Sequence, residues 1–300
     1  MNELNLHQLN VLRTAARLGS FTRAAEALYI GQPAVSQHVA ALERALGVPL
    51  VYRAGRGVRL TEAGLLVVDY AERIGRLIEQ LQAGLDGLKG LTTGRLVIGT
   101  SQTPGDYLLP PLLGEFRRRY PGVSVELEIA DTQQVVSWLL RHVYDLGFLG
   151  SATDHPDLCV EPFAEDRVVL FVAAGHALTG RARVALGDVL QAGLIVRESG
   201  SATRAAGEGV FRAAGLEPIP VMELGSNEAV KRAVLAGLGA GMLSWYAIDV
   251  EREASLIVEL DVPEFDCRRT LYVAWHRTAP LTYAQRAFLA LAREPARSVH

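Results

Sequence analysis

Hydrophobic residues recur every three or four positions through the first fifty residues, which is the spacing of one face of an α-helix. The pattern predicts a helix over residues 4–18, a short helix over 23–28 and a third over 33–46. Thr22 is placed to cap the second helix, and Pro33 suits the first position of the third. Two short helices joined by a tight turn that contains glycine are typical of a helix-turn-helix.

The third predicted helix has one apolar face and one face of small, hydrogen-bonding residues. In a helix-turn-helix the second helix enters the DNA major groove, with the residues near its N-terminus against bases and phosphates. Gln32, Pro33, Ser36 and Gln37 lie at this start, and glutamine pairs bidentately with adenine edges. His38 lies at the edge of the apolar face, where a packing role and a DNA contact remain equally open.

After the third helix the sequence predicts a hairpin, with strands over residues 50–53 and 58–60 and an Ala-Gly-Arg-Gly turn between them. Arg53, Arg56 and Arg59 cluster around this turn. Glycine lets a backbone approach a surface closely and arginine supplies positive charge. The hairpin is therefore expected to form a wing that contacts phosphates or enters a minor groove.

A long apolar stripe predicts a helix that begins after Thr61 and ends near Leu91. The stripe consists of residues three or four positions apart, namely Ile74, Leu77, Leu81, Leu85 and Leu88. Such a stripe normally pairs with another helix, which in a DNA-binding protein indicates dimerisation. Packing against its own domain remains the alternative.

From residue 94 the pattern changes to alternating strands and helices, which predicts an α/β fold with a mostly parallel sheet. In open α/β sheets ligands bind outside the carboxyl ends of the strands, where the helices begin. Hydroxyl groups and helix N-termini at these points suit a small anion. The candidate ligand-binding residues are Thr100, Ser101, Thr103, Thr132, Phe148, Ser199, Ser201, Thr203 and Asn227. Taken singly, the polar ones among them are equally suited to capping helices.

Charge divides the chain into two parts. The net charge is −3 over 300 residues, but residues 1–60 hold seven arginines and three glutamates, so that this part carries +4 and the remainder −7. A basic N-terminal part favours an anionic partner such as nucleic acid. The composition is that of a globular protein with no membrane-spanning apolar run and no secretory signal, so the sequence predicts a cytoplasmic protein without a membrane partner.

No sequence motif predicts a cofactor or a metal site. The two cysteines, Cys159 and Cys267, lack any CxxC or Cys/His spacing, and two reduced thiols are expected, with a redox pair left as an open question. The stretch 237–242 (GLGAGM) has a methionine at its sixth position and follows a predicted helix, which is the wrong context for a dinucleotide loop. No catalytic motif is present, so we expect neither an enzyme nor a bound cofactor.

Specific stretches match a known family. They are FTRAAEAL (21–28), QPAVSQHVAALE (32–43), R-x-x-R-x-V-x-LTEAG (53–64), YLLPPLLGEFRRRYPGVSVEL (107–127), DLGFLG (145–150) and NEAVKRAVLAGLGAGMLS (227–244). In these residues the chain resembles the LysR-type transcriptional regulators over nearly its whole length. The resemblance adds Thr22 and Arg23, in the matched second helix, to the expected DNA contacts.

The resemblance implies an all-α winged helix-turn-helix domain over residues 1–60 and a dimerisation helix over 61–91. It also implies an effector domain over 94–300, built of two α/β subdomains similar to periplasmic solute-binding proteins. The expected boundaries are about 94–163 with 268–298 for subdomain I, and about 164–267 for subdomain II. Such proteins form dimers or tetramers and regulate promoters in response to a small molecule. The partners expected here are double-stranded promoter DNA, a small anionic effector and further copies of the chain.

Two departures from the family pattern indicate a different base preference. Gly31 stands where the family often has Ser or Thr, and Gln37 stands where Arg is frequent. A solute-binding receptor or an enzyme built on the C-terminal α/β domain remains the alternative function. The effector, the operator sequence and the direction of regulation are not encoded in any motif.

Overall fold

The computed structural model describes residues 4–52, 57–88, 94–181 and 183–294. The chain divides into two compact units, residues 1–82 and 83–300. Each unit has its own hydrophobic core, and each is described by itself below.

Helices build the first unit. They are α1 (Leu6–Leu18), α2 (Phe21–Leu28), α3 (Gln32–Leu46) and α4 (Glu62–Leu88), the last of which continues past the unit's end. The predicted cap of α2 is wrong. The helix begins at Phe21, and Ser20 rather than Thr22 caps it by accepting a hydrogen bond from the Arg23 backbone N–H at 3.3 Å. Thr61 caps α4 as predicted, by accepting from the Gly64 N–H at 3.0 Å.

The core of this unit lies where α1, α2 and α3 meet. Val11 and Leu12 of α1, Ala24 of α2, and Val35 and Leu42 of α3 are fully buried. The apolar face predicted for α3 is therefore the buried one, and its polar face is left outside.

In the described part of the predicted wing, residues 50–52 and 57–60, an antiparallel bridge joins Val51 and Leu60. Next to it the Tyr52 N–H donates to the Arg59 carbonyl at 2.9 Å. Residues 53–56, including Arg53 and Arg56, lie outside the described residues. Glu43 of α3 holds the first side of the wing, residues 50–52, in place, because its Oε1 accepts a hydrogen bond from the Leu50 N–H at 2.7 Å.

Gly64 marks a close crossing of two backbones. A Cβ at this position would lie 2.0 Å from the Leu50 carbonyl oxygen. Helix α4 can therefore lie this close to the first side of the wing only because residue 64 has no side chain. We expect Gly64→Ala to lower the free energy of unfolding of the first unit by about 2–3 kcal/mol through overpacking. Urea denaturation followed by far-UV circular dichroism measures this change.

The matched control is Gly114→Ala in a helix of the second unit, where an added Cβ meets open space. That substitution is expected to stabilise by about 0.5–1 kcal/mol, because alanine restricts the unfolded chain and favours helix. Equal effects of the two substitutions would contradict the close crossing at Gly64.

The second unit is a layered α/β structure. Its strands are β1 (Gly94–Ser101), β2 (Val123–Ala130), β3 (Leu146–Leu149), β4 (Leu158–Ala173), β5 (Leu194–Arg197), β6 (Met222–Leu224), β7 (Ala240–Ser244), β8 (Ile257–Glu259) and β9 (Cys267–His276). Its helices are α5 (Leu109–Arg119), α6 (Thr132–Leu140), α7 (Leu186–Gln191), α8 (Ala202–Ala213), α9 (Asn227–Leu235), α10 (Trp245–Glu253) and α11 (Tyr283–Ala292), with a π-helical turn over Pro104–Leu108 before α5.

The strands form one sheet in the order β2-β1-β3-β9-β4-β7-β5-β6, with β8 paired to β4. The prediction of a mostly parallel sheet is wrong. Strand pairs are parallel at the two ends, β1 with β2 and β3, and β5 with β6 and β7, but β4 and β9 pair antiparallel in the middle. These two long strands connect the halves, since β9 borders β3 and β4 borders β7.

The register of β4 and β9 answers the question of a cysteine pair. Cys159 lies opposite Trp275, whereas Cys267 lies opposite Val168. Nine residues of strand separate the two positions, about 30 Å at the usual rise per residue. A disulfide needs Cα atoms within about 7 Å, so the two thiols, both free in this structure, cannot form a redox pair in this fold.

Candidate functional site

The N-terminal half of α3 presents its polar side chains to solvent. Gln32, Pro33, Ser36 and Gln37 are exposed, while Val35 between them is fully buried. The N-cap residue, Gly31, supplies no side-chain hydrogen bond to the helix. This end of α3 therefore offers two amides and a hydroxyl to a partner, as a helix that enters the major groove does.

His38 lies half-buried beside α1, where its ring meets the ring of His7 edge-on with centroids 4.8 Å apart. This contact supports the packing role over a DNA contact. Thr22 and Arg59 are exposed. Arg23 is exposed as well, but its guanidinium donates to the Leu18 carbonyl at the end of α1, so its charge is held there.

Tyr29 is a surface residue between α2 and α3 that was not among the predicted DNA contacts. It ends α2 in the left-handed conformation, with φ +54°, and its side chain is 96% exposed, three residues before α3 begins. An aromatic residue so fully exposed beside the recognition helix is a further candidate for a DNA contact. The sequence indicates the exposure of Tyr29 only through the Ile-Gly pair that follows it, which is typical of a turn.

A cleft in the second unit lies at the carboxyl ends of β1, β2 and β3 and against the start of α8. It has a volume of about 590 Å³, with a smaller recess of about 20 Å³ deeper between the same elements. The larger space is lined by residues that include Thr132, Gln133, Ser151, Ser199, Ser201 and Arg204. The recess is lined by residues that include Ser101, Thr103, Thr132, Arg197, Glu198 and Thr203.

Buried hydroxyl groups surround the recess. Thr132 Oγ1 accepts from the Gly150 N–H at 3.2 Å, and Ser201 Oγ accepts from the Arg204 N–H at 3.4 Å as the cap of α8. The Ser101 hydroxyl is buried and has no hydrogen-bond partner in the described structure. An unsatisfied buried hydroxyl costs free energy, so Ser101 is suited to bind a polar group placed in the recess.

Two helices begin at the cleft. Asp131 caps α6 by accepting from the Gln134 N–H at 2.8 Å, and Ser201 caps α8. Thr132 and Gln133 of α6, and Ala202 of α8, line the cavity beside these caps. The positive ends of both helix dipoles, with their first N–H groups, therefore face the cavity, which favours an anion.

Two predicted ligand contacts require correction. Phe148 is fully buried in the hydrophobic core, where its ring packs on Phe163 with centroids 4.7 Å apart. Thr100 is also fully buried, and its hydroxyl donates to the Ser101 carbonyl at 2.9 Å. Adjacent residues of a strand point to opposite faces, so Ser101 faces the recess while Thr100 faces the core.

The remaining predicted residues lie near the cavity with different roles. Ser199 is exposed on the rim, and its backbone N–H donates to Glu223 at 3.1 Å. The hydrogen bond from Arg204, and after it the one from Ser199, lowers the pKa of the Glu223 carboxyl. Asn227 is buried, and its Oδ1 accepts from Arg197 at 2.7 Å. Its Nδ2 lies 3.5 Å from Asp106, whose pKa burial raises.

Both arginines of the cleft are already paired with carboxylates. Arg204 donates to Glu208 and to Glu223, each at 2.6 Å. Arg197 donates through two nitrogens to Glu198, at 2.7 and 2.5 Å. Arg197 was not among the predicted ligand-binding residues, because the apolar residues Leu194, Ile195 and Val196 before it indicate only a buried strand.

Arg269 of β9 lies behind the recess and was also missed. Its guanidinium donates to Asp166 of β4 at 2.8 Å and to the Thr103 hydroxyl at 3.3 Å. Asp166 accepts a further hydrogen bond from Ser244, at 2.7 Å. Since Arg269 occupies an acceptor position of the Thr103 oxygen, the hydroxyl proton of Thr103 is left to donate to a ligand.

Within the described ranges, no group of three or more His, Cys, Asp and Glu side chains could hold a metal ion. No helix in the same ranges is long and apolar enough to cross a membrane.

Residues 6–65 match the family model of the bacterial regulatory helix-turn-helix proteins of the lysR family, and residues 89–297 match that of the LysR substrate binding domain. A DNA-binding helical unit followed by a two-part α/β unit with a ligand cleft thus defines a transcriptional regulator. The chain belongs to the LysR family.

Two curated relatives and one solved structure extend this result. The chain is 39% identical over 289 residues to the HTH-type transcriptional activator CmpR of Synechocystis sp., with 96% of this chain and 95% of that protein covered. It is 34% identical over 297 residues to the RuBisCO operon transcriptional regulator of Allochromatium vinosum, with 99% and 98% covered. The regulatory domain of Synechocystis CcmR, solved in complex with 2-PG, matches with a TM-score of 0.61 and 30% identity over 67% of this chain and 96% of that one.

Proposed function

We propose that this protein is a cytoplasmic, non-enzymatic regulator that binds promoter DNA through α3 and the wing and responds to a small anion in the cleft of its second unit. The observation that carries the ligand class is the convergence of two helix N-termini and the unpartnered Ser101 hydroxyl on one recess. The relatives are transcriptional regulators, and this supports the regulatory role over the receptor and enzyme alternatives.

DNA recognition is assigned to the exposed start of α3. Gln32 and Gln37 supply amides for base edges, Ser36 supplies a hydroxyl for a base or phosphate, and Pro33 supplies an apolar contact for a thymine methyl. Thr22, Arg59 and Tyr29 are exposed in the same unit and are assigned to the DNA backbone. Arg53 and Arg56 join them as a proposal from the sequence alone.

Self-association is assigned to α4. Leu66, Leu77 and Leu81 each expose more than half of their side chains on a helix of 27 residues. A row of exposed leucines this long is typical of a helix that pairs with a second copy. A dimer also presents two α3 helices to the two half-sites of an operator, and tetramers form where such dimers associate.

The ligand is assigned as a small phosphorylated or carboxylated metabolite. The cleft volume of about 590 Å³ lies within the range of about 300–1,000 Å³ for small-molecule sites. Its wall includes several hydroxyls, two helix N-termini and the Arg204–Glu208 ion pair, and the recess beside it adds the buried Arg197. The complex of the similar CcmR domain with 2-PG makes this anion the first probe. The similarity to a RuBisCO operon regulator makes the DNA upstream of RuBisCO genes the first target to test.

The direct test of the DNA assignment is a binding titration across a salt series, with the DNA upstream of the protein's own gene and scrambled DNA of equal length. Preference for the native fragment, with an affinity that falls steeply as salt rises, is expected from base readout on top of phosphate contacts. Repetition with 2-PG present shows whether the anion changes the affinity. No binding at low salt would exclude the proposed role.

Ser101→Ala tests the ligand assignment. The substitution removes the unpartnered hydroxyl without leaving another group unpaired, so the fold should keep its stability while the affinity for 2-PG falls about tenfold, equivalent to one hydrogen bond to a charged group. Isothermal titration calorimetry measures the affinity. Ser255→Ala, on a turn outside the cleft, should leave it unchanged, and equal affinities of the two variants would refute the role of Ser101.

A further inference from the structure

Glu198 forms an ion pair with Arg197 at the recess of the cleft. Its carboxylate receives two hydrogen bonds from Arg197, from Nε at 2.7 Å and from Nη2 at 2.5 Å. This two-pronged geometry is the one with which arginine binds a carboxylate or a phosphate. Both side chains line the recess whose other walls carry the Ser101, Thr103 and Ser201 hydroxyls.

The two partners differ in their freedom to move. The Arg197 side chain is 6% exposed and is held on its far side by Asn227, whereas the Glu198 side chain is 33% exposed. A buried guanidinium that loses its directly bonded carboxylate is strongly unfavourable. The other nearby carboxylate, Asp106, is linked to Arg197 only through Asn227, so a second anion is needed where Glu198 leaves it. A carboxylate that already touches water loses little when it turns outward.

The backbone around Glu198 stays in place during such an exchange. The Glu198 N–H donates to the Leu224 carbonyl at 3.1 Å, and its carbonyl accepts from the Ser201 N–H at 3.2 Å. These two bonds fix the peptide units on both sides, so that only the side chain has to rotate. The other cleft arginine, Arg204, is engaged by Glu208 and Glu223 and does not compete for the displaced carboxylate.

We propose that Glu198 is a built-in competitor of the effector, which holds Arg197 in the free protein and is displaced to solvent when an anionic ligand enters the recess. This inference rests on the proposed function of the cleft. Glu198 then sets the ligand concentration at which the regulator responds, because each binding event must break its ion pair with Arg197. It also makes the recess selective for ligands with a full carboxylate or phosphate, since a neutral group cannot replace the counter-charge.

Glu198→Gln removes the competing charge and keeps the shape of the side chain. We expect about tenfold tighter binding of 2-PG and of inorganic phosphate by isothermal titration calorimetry with the full-length protein, and a lower 2-PG concentration for the change in DNA affinity. Glu217→Gln is the matched control, because Glu217 is an exposed partner of Arg212 and its loss changes the net charge equally. It should leave both affinities as in the wild type.

Unchanged or weaker binding by Glu198→Gln, with the wild type binding normally, would overturn the inference and leave the proposed function intact. If neither the wild type nor the variant bound either anion, both would fall. Glu198→Ala guards against a folding defect of the first variant. Tighter binding by a variant whose unfolding midpoint equals that of the wild type supports the inference in either case.

Discussion

Asp166→Ala is expected to lower the free energy of unfolding of the second unit by about 3–5 kcal/mol, because it leaves a buried guanidinium without its counter-charge. The Asp166 side chain is fully buried and the Arg269 side chain is 9% exposed, with two of the arginine's nitrogens on one carboxylate oxygen at 2.8 and 2.7 Å. The substitution also removes the acceptor of the Ser244 hydroxyl. Urea denaturation followed by tryptophan fluorescence measures the change selectively, since Trp138, Trp245 and Trp275 all lie in this unit.

The control for this prediction is a second aspartate–arginine pair, which lies directly before Arg269 in the sequence. Asp266 accepts from Arg268 at 3.1 Å, but both side chains are mostly exposed. Asp266→Ala should therefore change stability by no more than about 1 kcal/mol, as is usual for a surface ion pair. If the two alanine variants unfolded at the same urea concentration, the burial of the Asp166–Arg269 pair would have no energetic consequence and the prediction would be wrong.

The same ion pair links the middle of the sheet to the ligand recess. Asp166 and Arg269 lie opposite each other on β4 and β9, the strands that connect the two halves of the unit. Arg269 also donates to Thr103, which lines the recess. A ligand that accepts a hydrogen bond from the Thr103 hydroxyl thus joins a hydrogen-bond network that reaches β4 and β9.

Local patterns predicted most elements of the fold but not how the long strands pair. The strands RLVIGT, VSVELEIA and LIVR and the helices after them follow from runs of apolar residues that end at Gly, Pro or a capping residue. The first half of β4, with the sequence LCVEPFAEDR, carries charges and a proline and gives no such signal. Its strand character comes from pairing with β9, more than a hundred residues away, and this long-range contact leaves no local trace.

The cleft could be placed from the sequence because parallel strands and helix caps leave a recognisable order of residues. Which neighbour faces the ligand could not be predicted in the same way. Thr100 and Ser101 are both small hydroxyl residues at the end of a strand buried on both faces, so polarity does not reveal their orientation. Arg269 was missed because its counter-charge, Asp166, lies more than a hundred residues away and is brought to it only by folding. Arg197 was missed because the apolar residues before it in β5 do not reveal that its side chain lines the recess.

Gln37→Glu is expected to weaken binding to operator DNA by about 10- to 100-fold, without any change in stability or in ligand affinity. The amide of Gln37 can both donate and accept, whereas a carboxylate of the same shape can only accept. The carboxylate of the substituted residue would also bring a negative charge into a groove lined with phosphates. The loss of a bidentate base contact alone accounts for about 1–3 kcal/mol. Fluorescence anisotropy with a labelled operator fragment at fixed salt measures the change.

Gln191→Glu is the matched control, because Gln191 is exposed at the end of α7 in the second unit and the substitution changes the net charge equally. It should bind operator DNA as the wild type does. The pair of variants separates a local effect of the α3 surface from a general repulsion between protein and DNA. If both variants lost affinity equally, DNA binding would depend on total charge, and the exposed start of α3 would not be the reading surface. If only Gln37→Glu lost affinity, and lost more on the native than on scrambled DNA, this glutamine would contact a base rather than a phosphate, because a lost phosphate contact weakens binding to every sequence alike.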